Sequence, residues 1–368
     1  MIIHVIQDIG AFNLFFKEIC EHNKKTFNSN YYVLTKKHNL RIDFNSEDVN
    51  FSNILFIEDF SFFQIYKLFF KANVIHVEMS STLFRPSFFF LSNFFRKKLI
   101  LTIHGWIFQK QNFISKISTL LLVGIEKIFT LNKSDYKIFK SSSLSVENLN
   151  TIGFGVSSKR LISNDLKNKT FWDPNFSSSR PITFTFLGRI SELKGFHILP
   201  DLIKGLLANG YKINSFYILG KIDKKRKSSK INLALESLKN YSFVKFIGFT
   251  KETTLYMKKS DFIVLPSLRE GISIAMCEAL VLNKPLITYG CRGAFDLLGK
   301  KYTANCNDFG KPESLICIID KFINDISFRN DYFNYIKTLY PKILRENNSK
   351  IISKQYCESY KLIINKHD

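Results

Sequence analysis

The segment Leu265–Leu280 combines residue types suited to binding an anion. An apolar stretch ends at Pro266, a glycine turn follows and a helical pattern begins. Gly271 lets the backbone turn tightly beside a ligand. Ile272 and Ser273 then open the helix, whose first N–H groups and positive dipole end favour a diphosphate. We therefore expect a phosphate-bearing ligand at this strand–turn–helix junction.

Two carboxylates flank the same junction. Glu270 lies in the loop before the helix, and Glu278 lies about two turns along it, on the face of Ile274. Carboxylates placed there could accept hydrogen bonds from sugar or ribose hydroxyls. Taken alone, two glutamates are more often solvated surface residues. The strand–turn–helix context favours the ligand-binding interpretation.

A second loop carries two cations. In Phe186–Gly195 an apolar strand runs into a glycine turn, and Arg189 and Lys194 stand five residues apart around it. An arginine can bind a diphosphate through two hydrogen bonds, while a lysine adds a point charge. The alternative is a solvated basic loop in a basic protein. If they bind a diphosphate, these cations would stabilise the charge that develops on it as a leaving group.

Two further residues are candidates by position. His104 ends the strand pattern of Lys98–Ile103, where α/β folds place ligands, although a lone histidine is more often structural. Arg292 lies in the glycine-containing stretch Tyr289–Asp296 after another strand. Arg292 could contact a bound ligand, and it could equally be an ordinary surface arginine.

The spacing of these residues resembles that of retaining GT-B glycosyltransferases of family 4. Glu270 and Glu278 match the E-x7-E segment of that family, and Gly188 to Gly195 match its G-R-x-x-x-x-K-G pattern. The resemblance implies that Glu270 lies by the donor sugar and that Glu278 holds the ribose. It also implies that Arg189 and Lys194 bind the diphosphate.

In the first half the resemblance is weaker. The family's matching histidine implies that His104 orients the donor sugar. Family members commonly carry a Gly-Gly pair after the first strand, whereas this chain has Gly10 alone.

The resemblance also implies a function. It predicts hexosyl transfer from a nucleotide-diphosphate sugar to a lipid-linked surface-glycan precursor of the O-antigen, capsule or lipopolysaccharide type, with retention of anomeric configuration. The sequence has no Asp-x-Asp, so we expect no metal and no cofactor, the cations taking the metal's place. Two alternatives stay open: a catalytically silent GT-B-like binding or scaffold subunit, and another GT-B enzyme such as a nucleotide-sugar epimerase.

Alternating apolar runs and helical-period segments predict two doubly wound, Rossmann-like α/β domains facing a cleft. We expect an acceptor-side domain over residues 1–165, a donor domain over 181–345 and a helical tail over 346–368 that packs back on the first domain. From about Asp325 onward the chain should consist of helices joined by a turn near Pro341. The predicted strands are Ile2–Gln7, Tyr31–Thr35, Asn53–Ile57, Val74–Val77, Lys98–Ile103, Lys127–Leu131, Thr151–Gly153, Thr183–Leu187, Ser215–Leu219, Val244–Ile247, Asp261–Leu265 and Pro285–Thr288.

Composition restricts the partners and the compartment. The formal net charge is +22, of which residues 151–368 carry +16. No nucleic-acid-binding motif is present, so anionic lipid and phosphorylated ligands are the expected partners. Six scattered cysteines, the lack of a signal-peptide pattern and the lack of a bilayer-spanning run predict a cytoplasmic protein, peripheral on the inner face of the membrane.

Two stretches could contribute to membrane binding. Phe84–Lys98 has an aromatic stripe at helical spacing with basic ends, and Lys221–Lys230 is a basic loop. A helix packed on its sheet is the favoured reading of the first stretch, and a solvated loop is that of the second.

Overall fold

The chain folds into two compact units, one of residues Met1–Ser158 and Arg345–Asp368 and one of residues Lys159–Leu344. Within them, the computed structural model describes residues 1–6, 14–35, 54–79, 94–95, 98–103, 125–140, 146–148, 180–222, 228–268, 270, 272–346 and 349–367. None of the helices in these ranges combines the length and the apolar character needed to cross a membrane.

The first unit is built on a parallel sheet. Its described strands run in the order β3-β2-β1-β4-β5-β6-β7, with every neighbouring pair parallel. The strands are β1 (Ile2–Ile6), β2 (Tyr31–Thr35), β3 (Ile54–Phe56), β4 (Val74–Met79), β5 (Leu99–Ile103), β6 (Lys127–Thr130) and β7 (Val146–Asn148). The described helices are α1 (Leu14–Phe27), α2 (Phe62–Lys71), α3 (Lys133–Lys140) and, from the end of the chain, α11 (Ser349–His367).

Both faces of this sheet are buried, so its strands read as continuous apolar runs. Alternate residues of β1 serve opposite faces. Ile3 and Val5 join a core that includes Phe69 of α2, whereas Ile2 and Ile6 join one that includes Ile352 of α11. The C-terminal helix therefore completes the core of the first unit.

The second unit has a smaller parallel sheet in the order β10-β9-β8-β11-β12 among its described strands. They are β8 (Ile182–Leu187), β9 (Ile213–Leu219), β10 (Val244–Gly248), β11 (Phe262–Val264) and β12 (Leu286–Ile287). Its described helices are α4 (Leu199–Ala208), α5 (Ser229–Lys239), α6 (Thr253–Lys259), α7 (Ile274–Val281), α8 (Arg292–Leu298), α9 (Pro312–Asn324) and α10 (Ile326–Glu346). Two Rossmann-like α/β domains with parallel sheets, as expected, make up the protein.

Several local expectations differ from the structure. Pro341 lies inside α10 rather than at a turn. The proline removes one amide donor but sits exposed at the surface, where a helix tolerates that loss. The strand Val146–Asn148 was not predicted. The predicted strand Thr151–Gly153 and most of the expected linker fall in residues 149–179, which lie outside the described residues.

A buried polar network occupies the face of the first sheet under α11. His4 and His76 are register partners on β1 and β4, and their rings stack with centroids 4.3 Å apart and planes 5° apart. Nε2 of His4 lies 2.9 Å from Oε1 of Glu78, and its Nδ1 lies 2.6 Å from the Tyr31 hydroxyl. These side chains are completely or almost completely buried, so their hydrogen bonds replace those that water would make.

Two tyrosines of α11 close this network. The Tyr360 hydroxyl lies 2.6 Å from Nδ1 of His76, and the Tyr356 hydroxyl donates to Glu78 at 3.1 Å. Burial raises the pKa of both phenols well above the ordinary value, so they keep their protons. His76 and Glu78 each receive a hydrogen-bond partner from α11. The helix therefore supplies hydrogen bonds as well as apolar packing to this face of the sheet.

We predict that Tyr360→Phe will weaken the first unit locally. The ring and its packing stay, but Nδ1 of His76 loses its partner, which should lower the free energy of opening at β1 and β4 by about 1–3 kcal/mol. Native-state hydrogen exchange of amides in those strands measures this energy. Tyr241→Phe, a change to a half-buried tyrosine of the second unit, is the control and should leave the same amides unchanged. Equal protection in both variants would refute the contribution of this hydrogen bond.

Candidate functional site

The carboxyl ends of β8, β9 and β10 meet through glycines. The backbone N–H of Gly188 donates to Leu219 at 3.0 Å, and that of Gly220 donates to Gly248 at 2.8 Å. A Cβ atom on Gly220 would lie 1.8 Å from the carbonyl oxygen of Gly188, so no other residue fits there. The loop bearing Arg189 thus starts from a tightly packed strand edge, where parallel α/β sheets place their ligands.

The loop after β8 packs directly on the loop after β11. Gly195 has φ +69°, and a Cβ atom there would lie 1.9 Å from the carbonyl oxygen of Pro266. The N–H of Leu268 donates to the carbonyl of Leu193 at 3.0 Å. These two contacts fix the residue before Gly195, Lys194, beside the segment that carries Glu270.

Lys194 and Glu270 form an ion pair at this junction. Nζ of Lys194 lies 2.6 Å from each carboxylate oxygen of Glu270, and the two side chains are 22% and 12% exposed. Their partial burial makes this contact stronger than an exposed surface pair. A lysine has three donors, and the carboxylate takes two of them. Lys194 can therefore hold Glu270 and still donate to a phosphate oxygen.

Helix α7 begins next to this pair. Ser273 is its N-cap, and its hydroxyl accepts from the N–H of Met276 at 3.2 Å. Ile272 is buried just before it, so the predicted residues at the helix start have structural roles as well. The N–H of Gly293, in the first turn of α8, donates to the backbone carbonyl of Glu270 at 3.4 Å. The Glu270 loop is thus held by the loop after β8 and by the start of α8.

Glu278 is not the solvated surface residue that a lone helical glutamate usually is. It is only 5% exposed and lies in a helix whose residues from Met276 to Val281 are all buried. Burial, with a smaller contribution from the Glu278 charge, raises the pKa of the neighbouring Cys277 thiol well above its ordinary range. Glutamate side chains are rarely buried to this extent, so Glu278 does not have the position of an ordinary surface residue.

The remaining candidates divide into two groups. Arg189 is exposed directly after Gly188, and Arg292 is half-buried as the first residue of α8. Next to Arg292, the buried Cys291 thiol has its pKa raised to about 12, mainly by burial, with the charges of Glu270 and Lys194 acting in opposite directions. His104, Gly10 and Gly271 lie outside the described residues, so their expected roles remain predictions.

The described residues hold one group of side chains with metal-ligand spacing, the His4, His76 and Glu78 of the polar network. The lone pair of an imidazole nitrogen lies in the plane of its ring. Because the two rings are parallel and stacked, their nitrogens cannot both aim at one ion unless a ring turns and gives up its tyrosine. The geometry fits a hydrogen-bonded network better than a metal centre.

Residues 168–338 match the family model of glycosyl transferases group 1. This stretch is similar to group 1 glycosyltransferase domains. It contains the glycine-bound strand edge, the Lys194–Glu270 pair and Glu278, so the site described above lies within the matched domain.

Curated relatives match part of the chain. The capsular polysaccharide biosynthesis glycosyltransferase CapM of Staphylococcus aureus is 25% identical over 203 residues, which are 53% of this chain and 51% of that protein. The glycogen synthase of Flavobacterium johnsoniae is 25% identical over 195 residues, 50% of this chain and 39% of that enzyme. The chain thus spans about half or less of the length of these relatives.

Solved structures resemble the chain over its full length. Anabaena HepE in complex with UDP aligns with a TM-score of 0.65 and 14% identity, covering 98% of this chain and 100% of that one. Sucrose-phosphate synthase from Thermosynechococcus elongatus aligns with a TM-score of 0.69 and 13% identity, covering 99% of each chain. At such identities the likeness establishes the fold, which is GT-B.

The Gly195 contact leads to a prediction with a matched control. Gly195→Ala and Gly210→Ala both place an alanine at positive φ, +69° and +79°, but nothing lies within 4 Å of the added Cβ at residue 210. Both should lose about 1–2 kcal/mol from the backbone conformation. Gly195→Ala should lose about 1–3 kcal/mol more, since Pro266 must move. Thermal and urea unfolding measure the difference, and equal losses would show that the loops do not depend on this close approach.

Proposed function

We propose that the protein is a glycosyltransferase that moves a hexosyl group from a nucleotide-diphosphate sugar to a lipid-linked surface-glycan precursor, with retention of configuration. The observation that carries this proposal is the Lys194–Glu270 pair, half-buried at the carboxyl edge of the second sheet within a group 1 domain. A cation and a carboxylate held together beside a helix start suit a ligand that has both a diphosphate and a sugar.

Each site residue has a role in this proposal. Arg189 and Lys194 bind the diphosphate and stabilise its charge as the sugar leaves. The backbone N–H groups of Gly271 to Ser273, the residues immediately before α7, donate to the same phosphates. Glu270 binds hydroxyls of the donor sugar, and Lys194 keeps its carboxylate oriented in the absence of donor.

Three other residues complete the site. Glu278 accepts hydrogen bonds from the ribose hydroxyls, for which its enclosed position in α7 is suited. Arg292 adds a donor contact from the start of α8. His104 orients the donor sugar, and Gly10 lies where the acceptor approaches.

The similar proteins support the choice of substrates. HepE has been solved with UDP and glucose and with UDP-glucose, and CapM is named for capsular polysaccharide biosynthesis. We therefore favour a nucleotide-sugar donor and a surface-glycan acceptor for this chain, which would work on the inner face of the cytoplasmic membrane. The net charge of +22 suits both a diphosphate and an anionic membrane surface.

A catalytically silent subunit is the main competing function. It would keep the donor-binding residues but lack turnover, whereas an epimerase would convert the donor without an acceptor. A thermal-shift screen of UDP-, GDP- and ADP-sugars followed by donor hydrolysis and transfer assays separates the three. Stabilisation by none of these nucleotide sugars would contradict the proposed donor class.

We predict distinct effects for the two glutamates. Glu278→Ala should weaken donor binding by about 1.5–3 kcal/mol, roughly ten- to a hundredfold, because a charged hydrogen-bond partner is lost. Glu270→Ala should lower turnover more than donor affinity. Glu236→Ala is the control, since Glu236 also pairs with a lysine, Lys239, but on an exposed helix face. Wild-type affinity and turnover in both site variants would show that the assignment is wrong.

Transfer should not require a divalent metal, because fixed cations carry the leaving diphosphate. Activity should survive EDTA, whereas Arg189→Ala and Lys194→Ala should each reduce turnover about a hundredfold or more. Lys239→Ala, which breaks the exposed pair with Glu236, is the control for losing a lysine. Activity that EDTA abolishes and Mn²⁺ restores would contradict this prediction.

A further inference from the structure

Helix α2 of the first unit presents aromatic side chains on the surface. The helix is firmly started by a capping box between Ser61 and Gln64. It buries Phe69 against the sheet, and this inward side accounts for its packing. On the outward side Phe63 is 82% exposed and Phe70 is 70% exposed. Polar residues normally occupy the outward side of such a helix.

The exposed aromatic residues continue beyond the helix. Phe94 is 64% exposed, and its ring centroid lies 6.1 Å from that of Tyr66. The next residue, Phe95, is buried and contacts the rings of Tyr66 and Phe70 at 5.5 and 6.4 Å. We call the exposed set of Phe62, Phe63, Phe70 and Phe94 the aromatic surface. Several large apolar side chains exposed along one helix and its neighbour mark an interaction site more often than a single scattered apolar residue does.

Lysines lie among these rings. Lys67 and Lys71 follow Phe63 at spacings of four residues, so they lie on the same exposed stripe. Nζ of Lys98 donates to the carbonyl of Ala72 at 3.1 Å, which places a third cation at the C-terminal end of the helix. The nearby acids Glu58 and Asp59 precede the N-terminal end, so the basic character belongs to the other end of the stripe.

We infer that the aromatic surface, with Lys67 and Lys71, docks the first unit on an anionic lipid membrane. Phenylalanine rings can enter the boundary between headgroups and acyl chains while lysines reach back to anionic headgroups. A second copy of the chain fits less well, because a two-fold contact through this stripe would bring its lysines toward their own counterparts. The inference rests on the proposed function for its biological setting, the lipid-linked acceptor.

Vesicle co-sedimentation of the full chain tests the inference. The probes are vesicles of phosphatidylglycerol with phosphatidylcholine, and vesicles of phosphatidylcholine alone. Phe63→Ser/Phe70→Ser should reduce partition to the anionic vesicles about tenfold or more, because two rings that would enter the membrane are lost. Lys67→Ala/Lys71→Ala should reduce it about fivefold for each lysine at low salt and leave little difference between the two vesicle types.

Two control variants match these changes on another helix. Leu233 of α5 is 71% exposed, and the exposed Lys239 ends the same helix. Leu233→Ser and Lys239→Ala remove comparable exposed groups from the second unit and should bind vesicles like the wild type. Lys67→Ala/Lys71→Ala changes only exposed polar groups. It therefore still tests the inference if Phe63→Ser/Phe70→Ser fails to fold.

The outcomes separate this inference from the proposed function. Donor binding, measured by thermal shift in every variant, should stay at the wild-type value. Wild-type vesicle binding by both α2 variants would overturn the assignment of this surface while leaving the glycosyltransferase proposal intact. No vesicle binding by the wild type, or a dimer that Phe63→Ser/Phe70→Ser dissociates, would also overturn it. If the wild type bound vesicles but did not bind a nucleotide-sugar donor, the result would count against the proposed function alone.

Discussion

A backbone carbonyl occupies the space that any side chain at residue 195 would need. The 1.9 Å separation between Pro266 O and a Cβ built on Gly195 means that the two loops of the site are in direct backbone contact. That contact places Lys194 next to Glu270, and a similar approach between Gly188 and Gly220 holds the neighbouring strand ends. The charged groups are therefore held in place by packed main chain. The proposed stabilisation of a leaving diphosphate would need charges fixed in this way.

The sequence predicted most of the sheets because their strands are short apolar runs, such as Leu99–Ile103, bounded by polar turns. It also placed Arg189 and Lys194 in the loop that follows β8. It did not predict the ion pair between Lys194 and Glu270, since 76 residues separate them and a charge in a loop carries no mark of its partner. Helical periodicity gave the face of Glu278 but not the burial of the whole helix, which depends on neighbouring elements. The predicted turn near Pro341 was wrong because the neighbouring helical turns outweigh the local preference of proline against helix.

The polar face of the first sheet escaped sequence analysis for a related reason. His4, His76 and Glu78 are single polar residues within apolar strands, and each alone suggests an ordinary structural side chain. They form a network because the strand register stacks the two rings and because α11 supplies two tyrosines as partners. Neither can be read from spacing. Because every hydrogen bond in such a network is shielded from water, removing one partner leaves its neighbour unsatisfied rather than solvated.

The return of residues 345–368 to the first unit has a consequence for synthesis on the ribosome. The hydrogen bond at Nδ1 of His76 must wait for Tyr360, which is translated 284 residues later. A nascent chain that has already made all the described strands of the first sheet still lacks Tyr356 and Tyr360, whose hydroxyls contact Glu78 and His76 of β4. The second unit, whose contacts close within Lys159–Leu344, can finish folding while the first is incomplete. The first unit therefore cannot be complete until residues translated after the whole of the second unit are available.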